Sequence, residues 1–329
     1  MRRFLAIAML TASLLTVGLA GAAAPMVRIQ APGFYRVMVG GLDVTALNDG
    51  VVPFRTHDVL PTATERQISD FLRDNGLKEP VGMSYNAFLI NTGAKLILVD
   101  TGSGGKLDDD PVFHGTGRLM ANLRAAGYRP EQVDEIYITH RGQDHLGGLS
   151  IAGAAAFRNA VVRAPRAEFE VVVDPAKAEA LIARSHDPAW VKAWISFARD
   201  AFAPYIASGR LQLFDGDATF PSGVRALATP GHTPGHTSYI IESRGERLIL
   251  LGDLVLSPMQ FARPDLGSSF DSRPTVAAAQ RANILRAASI AHAWVAGGHL
   301  PFPGIGHVLS EAGGFRFLAP NYESPAAAD

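Results

Sequence analysis

The stretch Ile138-Thr-His-Arg-Gly-Gln-Asp-His-Leu-Gly147 decides how the rest of this 329-residue chain is read. An apolar run, Ile136-Tyr-Ile-Thr139, ends abruptly in His140, Asp144 and His145, and glycines follow at 147 and 148. A strand that empties into imidazoles and a carboxylate makes a poor core. It makes a good cation site, because neutral imidazole and carboxylate are the donors that zinc-class ions prefer.

Three more strand ends carry the same chemistry. They are Ala228-Thr-Pro-Gly-His232-Thr-Pro-Gly-His236, Leu251-Gly-Asp253 and Gly297-Gly-His299-Leu-Pro-Phe-Pro-Gly304. Each joins a rigid strand to a small-residue turn, which fixes the ligand backbone and leaves room for a cation. One alone is a weak signal, since a histidine after a glycine is more often a loop residue. Four in one chain, in this order, is strong. The chain holds no cysteine, so thiolate ligands, a thiol nucleophile and disulfides are excluded, and a metal site must come from His, Asp and Glu.

Around these ends the pattern alternates strands and helices. Tyr35–Val39 and Leu42–Ala46 read as a hairpin, with Asn48-Asp-Gly50 turning the chain again. Ile68–Leu77 reads as a helix, Asn86–Asn91 and Lys95–Asp100 as paired strands, Arg118–Ala126 as a helix and Val133–Thr139 as the strand that delivers the first cluster. Residues 166–206 are helical in character and carry Trp190, Trp194, Phe197, Phe202 and Tyr205, so they look like an insertion that covers something. Four strands, a helix over Val276–Ala291 and a final strand, Ala293–Ala296, complete the chain. Strand-rich runs with helices in both halves suggest a two-sheet core flanked by helices. Asp100 closes its strand with a glycine-rich loop; it is either part of a turn or a carboxylate that orients a ligand from behind.

The four strand ends together resemble the metallo-β-lactamase superfamily, whose pattern is His-x-His-x-Asp-His, then a single His, an Asp and a final His. The likeness covers nearly all of the chain after its first 24 residues and is closest to the methyl parathion hydrolase branch. It rests on Ala31-Pro-Gly-Phe-Tyr35, Glu131 through His140, Gly231-His-Thr-Pro-Gly-His-Thr237, Leu251-Gly-Asp-Leu254, His299-Leu-Pro-Phe-Pro-Gly-Ile-Gly-His307, the Gly314-Phe-Arg-Phe tail and Asn321-Tyr322. The fold it implies is α+β, a four-layer αβ/βα sandwich of two mixed β-sheets flanked by helices.

The resemblance also implies a ligand set: His140, a second histidine and His232 at one site, Asp144, His145 and His299 at the other, and Asp253 bridging the two. The second histidine's position is Gly142, with the spacing from His140 to Asp144 and His145 unchanged, so this is a substitution and not a shifted register. Gln143 offers only a neutral amide, and Arg141 stays protonated and cannot coordinate. The expectation is one tightly held Zn2+ and a second held weakly, with Mn2+, Co2+ or Fe2+ as alternatives. A water activated by the metal would be the nucleophile, with Asp253 and Asp144 as the carboxylates around it. His236 reads as a buried hydrogen-bonding histidine, and His307 as a residue behind the ligands or a structural one. Phe113, Trp190, Trp194 and Phe197 are candidates to wall an apolar substrate pocket, although most of these rings are expected simply to pack.

The implied activity is hydrolysis of a small neutral ester, lactone or organophosphate ester. A β-lactamase and a degenerate, non-catalytic metal-binding member of the fold are the competing readings. Net charge −1 and a pI near 6.8 give no footprint for nucleic acid. Arg2 and Arg3, the apolar Phe4–Ala20 run and the small residues before Pro25 read as a signal peptide over residues 1–24. Residues 25–329 would then form a single domain with an insertion around 166–206, periplasmic or secreted, with no stable membrane anchor. Its partners would be a small-molecule substrate and, at most, a second copy in a homodimer.

Overall fold

Successive side chains along a strand point to opposite faces, and here both faces are apolar. Phe88, Ile90, Ile97 and Val99 face one core while Ala87, Leu89, Leu96 and Leu98 face another. Such strands are stable only with a layer on each side. In the computed structural model, residues 24, 26, 30–105, 114–183, 185 and 187–323 are described. The chain divides into two compact units, Met1–Ala31 and Pro32–Asp329, and the second carries every strand and helix named below. The expected signal peptide lies almost wholly outside the described residues, as does Phe113.

The first sheet has the order β1 (Phe34–Val39), β2 (Leu42–Phe54), β3 (Val81–Asn91), β4 (Leu96–Val99), β5 (Glu135–Tyr137), β8 (Val161–Pro165) and β9 (Leu211–Phe214). Its pairs are antiparallel from β1 to β4 and parallel from β4 to β9. A short ribbon of β6 (Ser150–Ile151) and β7 (Ala154–Ala155) stands apart. The second sheet runs β10 (Ala218–Thr219), β11 (Arg225–Ala228), β12 (Thr237–Ser243), β13 (Glu246–Leu250), β14 (Trp294–Ala296), β15 (Ile305–Glu311) and β16 (Gly314–Leu318). Only β13 and β14 pair in parallel there.

The helices are α1 (Thr56–Val59), α2 (Glu65–Asp74), α3 (Leu119–Ala125), α4 (Gln143–Leu146), α5 (Arg166–Val173), α6 (Pro175–Ala183), α7 (Pro188–Ala207), α8 (Met259–Ala262) and α9 (Pro274–Ile290). Val44, Phe88, Tyr137, Tyr239, Leu250 and Ile305 build the core between the sheets. Leu123, Phe169 and Phe202 cover the outer face of the first sheet with α3, α5 and α7. Ile284, Leu285 and Ala288 of α9 cover the outer face of the second. The result is the four-layer αβ/βα sandwich of two mixed sheets. Among the described residues no helix is long and apolar enough to cross a membrane.

Three local expectations are corrected. Asn48-Asp-Gly50 is a β-bulge inside β2 rather than a turn, and buried Asp49 there accepts the N–H groups of Ser103, Gly117 and Leu119 at 2.9, 3.0 and 3.0 Å. The helix expected at Ile68 starts at Glu65, where Thr64 and Gln67 form a capping box, and it ends at Asp74 before Gly76 at φ 63°. Ala293–Ala296 is not the last strand, because β15 and β16 complete the second sheet.

Candidate metal centre

The ligands emerge where strands run out. Beyond β4, Asp100 adopts the left-handed conformation at φ 61°, which aims its carboxylate across the gap to the loop after β5. That carboxylate accepts the Thr139 N–H at 2.9 Å and the Thr139 hydroxyl at 2.8 Å, and holds His145 Nδ1 at 2.7 Å. Asp100 therefore orients a candidate ligand from behind.

Each of the four candidate imidazoles is anchored in this way. His140 Nδ1 meets Thr139 Oγ1 at 3.0 Å, His232 Nδ1 meets Asp271 Oδ1 at 3.1 Å, and His299 Nδ1 meets the Ser84 carbonyl at 3.1 Å. With Nδ1 fixed, every Nε2 turns toward Asp253. Asp253 Oδ2 lies 3.6 Å from His140 Nε2, 3.4 Å from His232 and 3.1 Å from His299, and Oδ1 lies 3.2 Å from His145. Asp144 Oδ2 completes the set at 3.3 Å from His145 Nε2 and 3.4 Å from His299 Nε2. Segments after β5, β11, β13 and β14 thus deliver one converging donor cluster, with Asp100 after β4 bracing it from behind.

The cluster fits a divalent cation. His145 Nε2 faces Asp253 Oδ1 at 3.2 Å and Asp144 Oδ2 at 3.3 Å without a well-aligned hydrogen bond to either, and the buried Nε2 and Oδ1 are the kind of donor atoms that a cation between them satisfies. His140, His145 and Asp253 form one group whose donor atoms lie within 4.8 Å of one another, and Asp144, His145 and His299 form a second. His145 belongs to both groups, a seam position that the linear motif does not reveal. Burial, then the neighbouring His145, push His140 well below its ordinary value, so it is a neutral donor. Burial opposes charge on His145, yet Asp253, Asp144 and Asp100 together raise it well above its ordinary value. Burial likewise opposes ionisation of Asp253, but His145, His299 and His140 hold its carboxyl well below the usual range. A proton on His145 is thus the natural competitor of a metal ion.

Gly142 leaves no open hole. A Cβ at this position would stand 2.7 Å from His145 Cδ2, 2.8 Å from His140 Nε2 and 2.9 Å from Asp144 Oδ1. The neighbouring donor tips have closed over the space.

Two of the other candidate histidines part ways. His236 Nε2 accepts the Asp253 N–H at 2.9 Å while Nδ1 meets Thr229 Oγ1 at 2.8 Å, so it fixes the backbone that carries Asp253. Burial, then His232, lower it to about 3. His307, by contrast, does not stand behind the ligands. It sits on β15 with its ring 4.0 Å from that of Trp294 and Nδ1 on the Ala293 carbonyl, because the strand, not the ligand loop, has already begun there.

A cleft of about 600 Å³ opens over the centre, walled by Phe54, Met83, Tyr85, Trp190, Trp194, Leu256 and Phe270. Trp190 and Phe270 are 56% and 49% exposed at this cleft. Trp194 is buried, donates Nε1–H to the Arg141 carbonyl at 2.8 Å and carries the Arg141 guanidinium 5.3 Å from its ring. Phe197 does not reach the cleft; farther along α7, it packs half-buried on the outer core of the first sheet. Phe54, Tyr85, Phe270 and Asp271 escape a reading by motif, since they lie on β2, β3 and the loop before α9 in no recurring pattern, and Asp49 is visible only within a turn signal. Tyr85 alone sits near a recognisable strand, with its ring edge-on to His299 at 4.7 Å.

The sequence profile of the metallo-beta-lactamase superfamily matches residues 81–299. An N-acyl homoserine lactonase from Bacillus sp is 29% identical over 178 residues, covering 50% of this chain and 60% of the relative. The match thus spans less than two thirds of that relative's length. Among solved structures, the hydrolase AbOPH of the beta lactamase superfamily is similar at 32% identity and a TM-score of 0.82, covering 90% of this chain and 100% of the other. AidC, a dizinc quorum-quenching lactonase, is similar at 27% identity and a TM-score of 0.76, covering 89% and 99%.

Proposed function

The chain belongs to the metallo-β-lactamase superfamily, and on that premise we propose that it is a zinc-dependent hydrolase of small neutral lactones bearing an apolar acyl tail. The observation that carries this reading is the pairing of two overlapping donor groups, His140, His145 and Asp253 with Asp144, His145 and His299, to which His232 adds a fourth imidazole beside Asp253, with a cleft walled by apolar and aromatic side chains. The dizinc lactonase among the similar structures and the Bacillus lactonase support the same substrate class. His140, Asp144, His145, His232, Asp253 and His299 would hold the metal. The bound metal supplies Lewis acidity toward the scissile carbonyl and activates water.

The chain's own groups do the rest. Asp253, central to the imidazoles, fixes their mutual distances and contributes charge where a cation is required. Asp144 has a side chain 16% exposed against 5% for Asp253, and it lines the cleft. It is the carboxylate placed to take a proton from the attacking water and return it to the departing ring oxygen. The walls from Phe54 to Phe270 exclude solvent and receive the acyl tail. Export through residues 1–24 belongs to the same proposal, supported by the Arg2-Arg3 start and the apolar run after it.

Zinc-loaded protein assayed side by side on acyl lactones of increasing chain length, an aryl ester, a phosphotriester and a β-lactam tests the reading. Lactones should give the highest kcat/KM, rising with chain length, and Asp253→Asn should lose at least ~100-fold through its effect on the metal centre. Faster turnover of the phosphotriester or the β-lactam overturns the substrate class.

A further inference from the structure

Behind His232 lies a buried ion pair that no ligand motif contains. Asp271 Oδ1 is 3.1 Å from His232 Nδ1, and Asp271 Oδ2 accepts the Ser268 N–H at 2.9 Å. Arg281 of α9 approaches that second oxygen with Nη2 at 3.7 Å, and both side chains are fully buried. The guanidinium is already committed elsewhere: Nη1 donates to the Pro264 and Leu266 carbonyls at 2.8 Å each, and Nε donates to the Leu254 carbonyl. Nη2 itself has no hydrogen-bond partner among the described residues. The Asp271 segment also clamps the His232 loop through its backbone, with the Ser272 N–H on the His232 carbonyl and the Arg273 N–H on the Gly231 carbonyl, both at 2.8 Å.

We propose that Asp271 and Arg281 are a positioning pair for the metal centre: Asp271 sets the tautomer of His232, and Arg281 braces Asp271 and the Asp253 loop as one unit. A carboxylate only accepts, so Nδ1 must carry a proton, which leaves Nε2 as the ring atom available to an ion beside Asp253. Arg281 touches the residue next to Asp253 and faces the partner of His232, so a single buried cation ties two donors from different loops. The pair matters more in this chain than it would beside a full ligand set, because Gly142 supplies no donor and His232 is one of few left on that side.

Asp271→Asn gives the inference a specific failure mode. Its amide oxygen must take the Ser268 N–H, since the amide nitrogen cannot face another donor. The NH2 then points at His232 Nδ1, which has to accept, and the proton moves to Nε2, where it blocks coordination. Long-range 1H–15N spectra of chelated, histidine-labelled protein report this directly, with the His232 signals assigned by their absence in His232→Gln. The wild type should show Nδ1 protonated, and Asp271→Asn should show Nδ1 without a proton. A wild-type Nδ1 without a proton, or an Nδ1 proton unchanged by the substitution, overturns the inference.

If Asp271→Asn alone does not fold because Arg281 is stranded, Asp271→Asn with Arg281→Met removes both charges and should show the same inverted tautomer. Cobalt(II) titrated into the chelated proteins supplies a second readout. Asp271→Asn should lose about 10–100-fold in affinity for the equivalent that His232→Gln also weakens, with its visible spectrum altered. Equal loss at every equivalent assigns the pair a merely structural role and overturns the proposal. Absence of cobalt binding by the wild type would instead sink the metal-centre reading, so the two failures are distinct.

Discussion

At the scale of single residues, Gly142 is the position where chemistry and packing pull in opposite directions. Its φ of −57° and ψ of 133° suit any L-residue, so nothing in the backbone demands glycine. The obstacle is the ring and donor tips already occupying the space, 2.7 to 2.9 Å from a hypothetical Cβ. Gly142→His should therefore destabilise the chelated protein by about 1–3 kcal/mol, as overpacking does, while raising the metal retained through purification. Gly142→Ala should carry the packing cost without the gain. Chelated melting curves and metal analysis separate the two effects; a Gly142→His protein that retains no extra metal would contradict the added-donor view. His236 offers a pH test. It is pushed down to about 3 from an ordinary 6.5, and its Nε2 faces the Asp253 N–H, so the folded state needs it neutral. The unfolded chain binds the extra proton first, so this contribution is present above pH 6.5 and is lost as pH falls from 6.5 toward about 3. At ~1.4 kcal/mol per unit the loss reaches several kcal/mol. Urea unfolding of chelated protein should show a shallower acid decline for His236→Gln, and parallel curves would refute the assignment. Comparing the two proteins cancels the other histidines.

At the scale of elements, helix α7 holds two tryptophans one turn apart with different tasks. Trp190 is 56% exposed at the cleft, so Trp190→Ala should change stability by less than about 0.5 kcal/mol yet raise KM for long-chain lactones. Trp194 is buried and bonded to the Arg141 carbonyl, so Trp194→Phe strands that acceptor at a cost of about 1–3 kcal/mol. Because Arg141 precedes Gly142 in the ligand loop, kcat should fall along with the melting temperature. Identical KM and kcat profiles for the two variants would deny α7 this division. The sequence pattern finds α7, since apolar residues dominate it, but cannot tell which ring faces the cleft: Phe197 is as good a candidate as Trp194 by spacing alone. Strands with two apolar faces are legible for the same reason that they are stable. The bulge at Asn48–Gly50 is not, because the residues that favour turns also favour bulges, and only pairing with β3 distinguishes the two. β15 and β16 are hidden because glycine, histidine and serine interrupt the apolar alternation of β15, and β16 is a short edge strand. The candidate donors are legible because each ends a strand, whereas Asp271 and Phe270 owe their places to a loop that has no repeating pattern.

At the scale of the whole molecule, the donor cluster joins the two sheets. His140, Asp144 and His145 follow β5 of the first sheet, while His232, Asp253 and His299 follow β11, β13 and β14 of the second. Elsewhere the sheets meet through apolar contact and through hydrogen bonds such as Tyr239 to the Ile138 carbonyl at 2.7 Å and Asn86 to the Leu300 carbonyl at 2.8 Å. A cation at the centre would link the two halves directly, so its binding free energy becomes folding free energy. Zinc at 100 times its dissociation constant should add about 2.7 kcal/mol, and for a domain of this size that raises Tm by roughly 4 °C. The effect should shrink on acidification. His145 must surrender a proton that Asp253, Asp144 and Asp100 favour, so zinc has a stronger competitor at lower pH. Melting curves across zinc concentrations at neutral and mildly acidic pH measure both effects. His145→Gln should abolish most of the zinc-dependent rise, because His145 belongs to both donor groups. His307→Gln, on β15 against Trp294, should leave the rise intact while lowering Tm with and without zinc alike. A Tm indifferent to zinc and chelator in the wild type would mean that apolar packing alone holds the sheets, and that the converging donors stabilise nothing.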